Sequence, residues 1–176
     1  KDDLIKNEPL AKKWIHLYLG ADEFINNKKR YCLWLVGAAP NELRSCKEVM
    51  RRVENVKLFR ASSKAAATRK FAETPTLFCQ IAQPDTDYVI VPAVSSERRR
   101  YIPIGFMGKE TIASNLVQII PNANLYHFGI LTSNVHMAWM RAVCGRLKSD
   151  YRYSKDVVYN NFPWPTPTDA QKAKIE

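Results

Sequence analysis

The charged residues Lys148, Asp150 and Arg152 are spaced two apart, within a segment at 145–154 that follows a helix-like run. In an extended backbone, residues two apart point to the same face, so we expect these three side chains to form one row. Lysine and arginine donate hydrogen bonds and aspartate accepts them, while in the major groove guanine offers acceptors and cytosine a donor. The segment therefore indicates a reader of base-pair edges. An exposed strand with local ion pairs, which contribute at most about 1 kcal/mol, explains the spacing equally well.

Two other basic segments are candidate contacts to a phosphate backbone. Arginine and serine side chains, together with backbone N–H groups, are the usual phosphate contacts in protein–DNA complexes. A loop at a strand end, or the polar face of a helix, can also be solvated without any ligand, so both interpretations stay open. The candidate phosphate contacts are Ser95, Ser96, Arg98, Arg99 and Arg100 in a predicted loop, and Arg51 and Arg52 on a predicted helix.

The composition favours a polyanionic partner. The 176 residues include 27 Lys and Arg against 17 Asp and Glu, a net charge of +10, which fits the electrostatic footprint of nucleic-acid binding. Binding to an anionic membrane would require an amphipathic helix with an exposed bulky apolar face, and the sequence has no strong example. It also has no apolar run long enough to span a bilayer and no signal peptide. We therefore expect a cytoplasmic protein with no membrane partner.

Metal sites and catalytic residues are not expected in this chain. The four cysteines are far apart and form no CxxC pair, and the histidines form no HExxH. The stretch from Asn160 to Trp164 resembles only faintly the Asn-Pro-Pro-aromatic loop of amino-methyltransferases, because Asn161 and Phe162 stand where two prolines should follow. The six glycines form no phosphate- or cofactor-binding turn.

The elements that must position these residues are helices and strands that are segregated along the sequence. Apolar residues recur at three- and four-residue steps after Pro40, which predicts a long helix, and Ser133 is a good N-cap for a helix over 134–144. Gly145 is suited to end that helix. Other predicted elements are a hairpin over 24–36, a helix over 64–73, and strands over 88–91, 101–106 and 116–120. The pattern predicts an α+β fold with a mixed or antiparallel sheet.

Several motifs, in the same order, resemble the target-recognition domain of MmeI-type restriction–modification enzymes. The similarity runs from about Leu19 to Pro165. The motifs are GADEFI at 20–25, RYCLWL at 30–35, SSERRRYIP at 95–103, YHFGILTS at 126–133, MAWMRAV at 137–143, GRL at 145–147, RYS at 152–154 and NFPWP at 161–165.

The resemblance implies that the chain is part of a longer bacterial DNA adenine methyltransferase, which uses S-adenosylmethionine and in some members also carries a nuclease domain. Residues 1–18 would lead in from the methyltransferase domain, residues 19–165 would form the recognition domain, and residues 166–176 would begin a C-terminal helical segment. We expect the fragment alone to be monomeric, to have no enzymatic activity and to hold no cofactor. Its partners would be double-stranded DNA and the parent's own methyltransferase domain.

The resemblance also implies roles for single residues. In that family the positions of Lys148 and Asp150 read the base pair next to the modified adenine, and Arg152, Asn115 and Leu116 correspond to further base-reading positions. Since Lys148 can donate to guanine and Asp150 can accept from the opposed cytosine, we predict G beside the target adenine on the methylated strand. The alternative hypothesis is a non-catalytic protein- or RNA-interaction module with a basic surface.

Overall fold

The computed structural model describes residues 1–176, and the chain divides into two compact units. The first unit comprises Lys1–Leu17 and Tyr31–Ala82, and the second comprises Tyr18–Arg30 and Gln83–Glu176. The predicted lead-in, recognition domain and C-terminal segment refer to domain boundaries of the longer parent protein, whereas the two units are compact clusters within this chain. The predicted domain boundaries stay a prediction.

Helices and strands are short, apart from one helix of 15 residues. The α-helices are α1 (Asp2–Asn7), α2 (Ala21–Ile25), α3 (Pro40–Ser45), α4 (Lys47–Ala61), α5 (Ala66–Lys70), α6 (Leu125–Leu131), α7 (Asn134–Val143) and α8 (Asp169–Ala173), with 3-10 turns at Pro9–Trp14 and Phe71–Glu73 and a π-helical turn at Lys155–Tyr159. The strands are β1 (Ile15–Leu19), β2 (Tyr31–Leu33), β3 (Tyr88–Pro92), β4 (Val94–Ser95), β5 (Gly105–Met107), β6 (Ile112–Ala113), β7 (Val117–Pro121), β8 (Gly145–Leu147) and β9 (Asp150–Arg152).

The first unit is helical, with one strand pair. Its core packs apolar residues of α1, the first 3-10 turn, α3 and α4 around the buried Trp14, and Val49 and Val53 of α4 supply the predicted apolar stripe. The long helix predicted from Pro40 is interrupted at Cys46, whose extended backbone separates α3 from α4. The Ser45 hydroxyl donates to the carbonyl of Glu42 at 2.6 Å, a local bond that competes with helix continuation.

A carboxylate from outside the helix caps the N-terminus of α4. The N-cap residue Cys46 makes no side-chain cap. Instead, Glu8 Oε1 accepts from the backbone N–H of Glu48 at 2.6 Å, and Oε2 accepts from that of Val49 at 3.1 Å. These N–H groups have no partner within the helix, and the helix dipole favours a negative charge there. Glu8 therefore joins the N-terminal segment to the longest helix of the chain.

The C-terminal end of α4 is held by Arg60. Its guanidinium donates to the carbonyls of Phe71, Thr74 and Leu77 at 2.8–3.1 Å. Three carbonyls that follow α5 thereby accept from one side chain, which fixes the segment after α5 against α4.

The predicted hairpin over 24–36 is wrong. Residues Ala21–Ile25 form α2, in which the Glu23 carboxylate accepts from the N–H of Gly20 at 2.8 Å at the helix start. Tyr31–Leu33 does form a strand, but it pairs antiparallel with the Ile15–Leu17 part of β1. Asn27 does adopt the left-handed conformation expected of an Asn-Asn turn, with φ of 50°. That turn connects helix α2 to strand β2, whereas the prediction had it connect two strands.

The second unit is built on β3, whose five residues are all buried. It pairs antiparallel with both β5 and β7, as a fully buried central strand should. The predicted strand over 101–106 is shorter than expected and starts only at Gly105, after Pro103. Tyr18 and Leu19 pair in parallel with β6, so the strand pairing is mixed, and the predicted α+β class is confirmed.

Helix α7 packs against this strand system and begins where the sequence predicts. Ser133 caps it, its hydroxyl accepting from the N–H of His136 at 3.2 Å. Its buried side chains Met137 and Met140 join the core of the second unit. The helix ends at Val143 without the left-handed glycine expected at Gly145, because the backbone turns extended at Cys144 and Gly145 starts β8. Among all helices of the chain, none combines the length and apolar character needed to cross a membrane.

We expect Glu8→Ala to destabilise the chain by about 1 kcal/mol, the usual effect of removing a helix N-cap. The change leaves two N–H groups at the start of α4 without their acceptors. The measurement is the urea midpoint of unfolding. Glu54→Ala on the same helix is the matched control, because its carboxylate makes only an exposed ion pair with Lys57 at 3.6 Å. Equal midpoint shifts for the two variants would contradict the capping role.

Candidate nucleic-acid interface

The predicted base-reading residues lie on a β-hairpin. Strands β8 and β9 pair antiparallel, with Leu147 opposite Asp150, so Lys148 and Ser149 form a two-residue turn. The single extended row expected for Lys148, Asp150 and Arg152 is therefore wrong for Lys148. Its φ of 56° places it in the left-handed region that hairpin turns of this length require. Lys148 projects from the hairpin tip, and only Asp150 and Arg152 share a strand.

The alternation along β9 separates a core face from a solvent face. Tyr151 and Tyr153 are buried in the core of the second unit, as the sequence pattern predicts. Asp150 and Arg152 therefore point the opposite way. Arg152 and Lys148 are exposed and Asp150 is half-buried. The three side chains thus reach solvent on the part of the hairpin that the core does not cover.

Arg146 is a residue of this site that the sequence reasoning missed. It pairs with Tyr151 across the hairpin, and its guanidinium lies 4.2 Å from the centre of the Tyr151 ring. Its Nη1 also donates to the carbonyl of Ser149 at 3.0 Å. Arg146 therefore braces the turn that presents Lys148. The sequence signal for this contact is the spacing of five residues between Arg146 and Tyr151. It indicates a cross-strand pair only when the hairpin turn is known to lie at residues 148 and 149.

The predicted phosphate-binding loop is adjacent to this hairpin. Strand β4 pairs with β9, so that Val94 lies opposite Arg152 and Ser95 opposite Tyr151. Directly after β4, the backbone N–H of Glu97 donates to Asp150 Oδ1 at 3.2 Å. The three-stranded sheet in the order β4-β9-β8 therefore brings the arginine-rich loop and the hairpin together.

Within this loop the backbone turns tightly around Ser96. Its hydroxyl accepts from the N–H of Arg98 at 3.3 Å, and its carbonyl accepts from the N–H of Arg99 at 3.0 Å. The side chains of Arg98 and Arg100 are exposed and that of Arg99 is half-buried, and none of them forms an ion pair. The guanidinium of Arg141 on α7 donates to the carbonyl of Arg100. The loop is thus held by its backbone while its cations stay available.

Ser95 does not fit its predicted role as a phosphate contact. Only 2% of its surface is exposed, and its Oγ is buried without a hydrogen-bond partner. Because Ser95 pairs with Tyr151 on the strand, its side chain shares the core-facing side of the sheet. Its neighbour Ser96 is the serine of this loop that a phosphate can approach.

Asn115 and Leu116 form a turn between β6 and β7 that is joined to the same sheet by backbone hydrogen bonds. The carbonyl of Leu116 accepts from the N–H of Ala93 at 3.0 Å, and the carbonyl of Ala93 accepts from the N–H of Tyr153 at 2.8 Å. Both Asn115 and Leu116 are exposed. Backbone hydrogen bonds through Ala93 therefore connect the Asn115–Leu116 turn to the strands that carry the other three predicted base-reading residues.

Arg51 and Arg52 differ from the other candidate phosphate contacts. They lie on α4, in the first unit, and both pair with Glu48. Arg51 does so through two hydrogen bonds of 2.8 and 2.7 Å, which lower the pKa of the Glu48 carboxyl. A phosphate would have to compete with this carboxylate for both arginines.

A buried histidine supports the hairpin from the core side. His136 on α7 is fully buried, with Nε2 3.1 Å from the hydroxyl of Tyr153 and Nδ1 without a partner. The ring of Phe162 packs edge-on against it, with centroids 4.6 Å apart. Burial lowers the pKa of His136 to about 4, so the imidazole is neutral at pH 7. Tyr153, which follows Arg152, is therefore held by a hydrogen bond to a neutral imidazole.

Comparisons with known proteins agree on one family. The family model described as "MmeI, target recognition domain" matches residues 1–166. DNA methyltransferase A of Bacillus subtilis (strain 168) is 41% identical over 174 residues, which are 99% of this chain and 20% of that protein.

A solved structure has the same fold. The type IIL restriction-modification enzyme MmeI, in complex with DNA, superposes with a TM-score of 0.95 and 48% sequence identity over 98% of this chain and 23% of that one. The chain therefore spans about a fifth of the length of the relatives it matches.

We expect the second unit to lose stability as the pH falls from 7 to 5. Unfolding frees His136 to take up a proton near its ordinary pKa of 6.5, whereas the folded protein binds it only near 4. The unfolded state thus binds more protons throughout this range, which lowers the free energy of unfolding by about 2 kcal/mol at pH 5.

The measurement is urea unfolding at both pH values for the wild type and for His136→Gln. The variant lacks the titrating group, so its pH dependence should be flatter by about that amount. An NMR titration of the His136 ring checks the folded pKa directly. A midpoint near 6.5 in the folded protein would contradict the assignment.

Proposed function

Because the chain belongs to the family of MmeI target recognition domains, we propose that it recognises a specific sequence in double-stranded DNA for a longer adenine-specific DNA methyltransferase. The observation that carries this proposal is the exposed edge of the β4-β9-β8 sheet. There, cations without internal ion pairs accompany two carboxylates, that of Asp150 on β9 and that of the exposed Glu97 in the adjoining loop. Such a mixture of donors and acceptors suits the major groove, whose edges present both kinds of partner.

In this proposal the hairpin reads bases. Lys148 donates to O6 or N7 of guanine, while Asp150 accepts from the N4 amine of the opposed cytosine. Oδ1 of Asp150 is occupied by the N–H of Glu97, which leaves Oδ2 directed to the base. Arg152, Asn115 and Leu116 contact further base pairs. A lysine in the left-handed conformation costs roughly 1–2 kcal/mol relative to glycine, which supports a functional reason for lysine at this turn.

The arginine-rich loop then holds the DNA backbone. Ser96, Arg98, Arg99 and Arg100 contact phosphates next to the bases that the hairpin reads, and this supplies affinity without sequence information. Arg51 and Arg52 join as phosphate contacts if the DNA backbone displaces Glu48.

The methyl transfer itself belongs to another part of the parent protein in this proposal. S-adenosylmethionine sites in such enzymes need a glycine-rich turn before a helix, and the glycines of this chain are scattered singly. The recognition domain fixes which adenine is flipped into the neighbouring methyltransferase domain. Since the DNA of a bacterium lies in its cytoplasm, the protein would act there. Residues 1–18 and 166–176 would connect the recognition domain to the rest of the parent. A nuclease domain in the parent would complete a restriction–modification enzyme.

The proposal predicts binding to duplex DNA that weakens steeply with salt. A titration of duplex DNA, single-stranded DNA and RNA at several salt concentrations measures this. Replacing both Arg98 and Arg99 by glutamine should flatten the slope of log K against log salt by about 0.9 per lost phosphate contact. Arg44→Gln together with Lys47→Gln, on the first unit, is the charge-matched control. Equal affinity for the three nucleic acids would favour the RNA- or protein-interaction module.

The assignment of the base-reading pair predicts a change of specificity. In the full-length protein, Lys148→Glu with Asp150→Arg reverses the donor and acceptor, so the methylated site should change from G to C next to the target adenine. Sequencing of methylated positions measures this. A double variant that still methylates adenines with G beside them would show that another pair reads this position.

Asp150→Asn separates base reading from loop positioning. Asparagine keeps an oxygen for the N–H of Glu97 but offers an amide donor in place of Oδ2. It should therefore relax the choice of base, by about 1–3 kcal/mol, while leaving the salt dependence unchanged. A variant that loses affinity for all sequences equally would place the role of Asp150 in the loop alone.

A further inference from the structure

Leu147 is an exposed leucine on the proposed base-reading face. It is the last residue of β8 and lies opposite Asp150 in the hairpin register. Directly opposed residues of an antiparallel pair point to the same face of the sheet, so Leu147 stands beside Asp150, with Cβ atoms roughly 5 Å apart. Its side chain is 54% exposed.

The hairpin gives Leu147 no internal role. All three residues of β8 are exposed, and Leu147 belongs to neither hydrophobic core. Exposed cations flank it: Lys148 follows it at the turn, and Arg152 lies on the same face of the opposite strand, whereas Arg146 is on the other face with Tyr151. An isolated apolar side chain flanked by cations does not fit a hydrophobic protein partner, whereas it fits a polyanion that also carries apolar groups.

In a major groove, the apolar group beside the N4 amine of cytosine or the O4 of thymine is carbon C5 of the same ring. Thymine carries a methyl group there and cytosine a hydrogen. If Asp150 accepts from a cytosine amine, a side chain about 5 Å away reaches the C5 edge of that cytosine or of a pyrimidine one step along the groove. An aliphatic side chain is suited to contact this edge.

We propose that Leu147 is a specificity-determining residue that reads the C5 substituent of a pyrimidine at, or next to, the base pair read by Lys148 and Asp150. This inference rests on the proposed function. It adds sensitivity to the C5 methyl group itself, which distinguishes thymine from uracil and 5-methylcytosine from cytosine, and which hydrogen bonds from the charged residues do not read. The exposed Leu116, whose carbonyl accepts from the N–H of Ala93 next to β4, would offer a second apolar contact.

The test uses the full-length protein and its own methylation motif, mapped first for the wild type. At each thymine of the motif, deoxyuridine removes the methyl group, and at each cytosine, 5-methylcytosine adds one. The readout is the ratio of kcat/KM for methyl-bearing and methyl-free DNA at each position. In the wild type we expect a ratio that departs from one by about fourfold at one position, the effect of burying or excluding one methyl group.

Leu147→Ala should bring that ratio close to one, and Leu147→Met should largely retain it. Leu125→Ala is the matched control, because Leu125 is also 54% exposed in the second unit but lies on α6. Ratios that Leu147→Ala leaves unchanged at every position overturn the inference. So does an equal loss of methylation on all substrates, which would place Leu147 against the rest of the parent protein. A wild type that methylates without any sequence preference overturns the proposed function itself, and this is seen before any variant is made.

Discussion

The burial of Tyr151 and Tyr153 is the constraint on which the rest of the site depends. Both rings lie in the core formed with β3 and α7, and the backbone between them is extended. Because successive side chains of a strand alternate, fixing these two rings inward forces Asp150 and Arg152 outward. A shift of register by one residue would bury an arginine and expose two tyrosines, which is energetically prohibitive. The core therefore sets the direction of the proposed reading residues without touching them.

Cations of this chain differ in their partners. Some pair with nearby carboxylates, as Arg51 and Arg52 do with Glu48 on α4 and as Arg30 does with Glu23 in the second unit. Around the hairpin of the second unit, arginines stack on tyrosines or face solvent, and the carboxylate of Asp150 bonds a backbone N–H instead of a cation. Like charges held close together repel one another and destabilise a fold unless an anion neutralises them. The unpaired positive charge around this hairpin therefore fits the polyanionic ligand that we propose for it.

The sequence predicted the features that depend on local chemistry. The alternation of β9, the Ser133 cap and the buried strand at 88–91 follow from neighbouring residues and were correct. It failed where long-range pairing decides. The Tyr31–Leu33 strand pairs with β1, which precedes it in the sequence. The segment expected to be its hairpin partner is largely the helix α2. The position of Lys148 in a turn, and the burial of Ser95, both follow from how β4, β8 and β9 meet, and no spacing within one segment reveals that.

The hydrogen bond between Asp150 and Glu97 couples the two tasks that the site would perform. One carboxylate oxygen holds the loop that carries the phosphate-binding arginines, and the other faces the bases. A substitution at residue 150 that alters base choice therefore also releases the loop, unless the new side chain keeps an acceptor. The side chain of Lys148, at the turn, makes no comparable hydrogen bond to the loop. Its replacement therefore changes only the chemical group that the hairpin tip offers to a base. Specificity at this hairpin should thus be easier to alter through residue 148, whereas a change at residue 150 that removes the acceptor should also lower the affinity for DNA of any sequence.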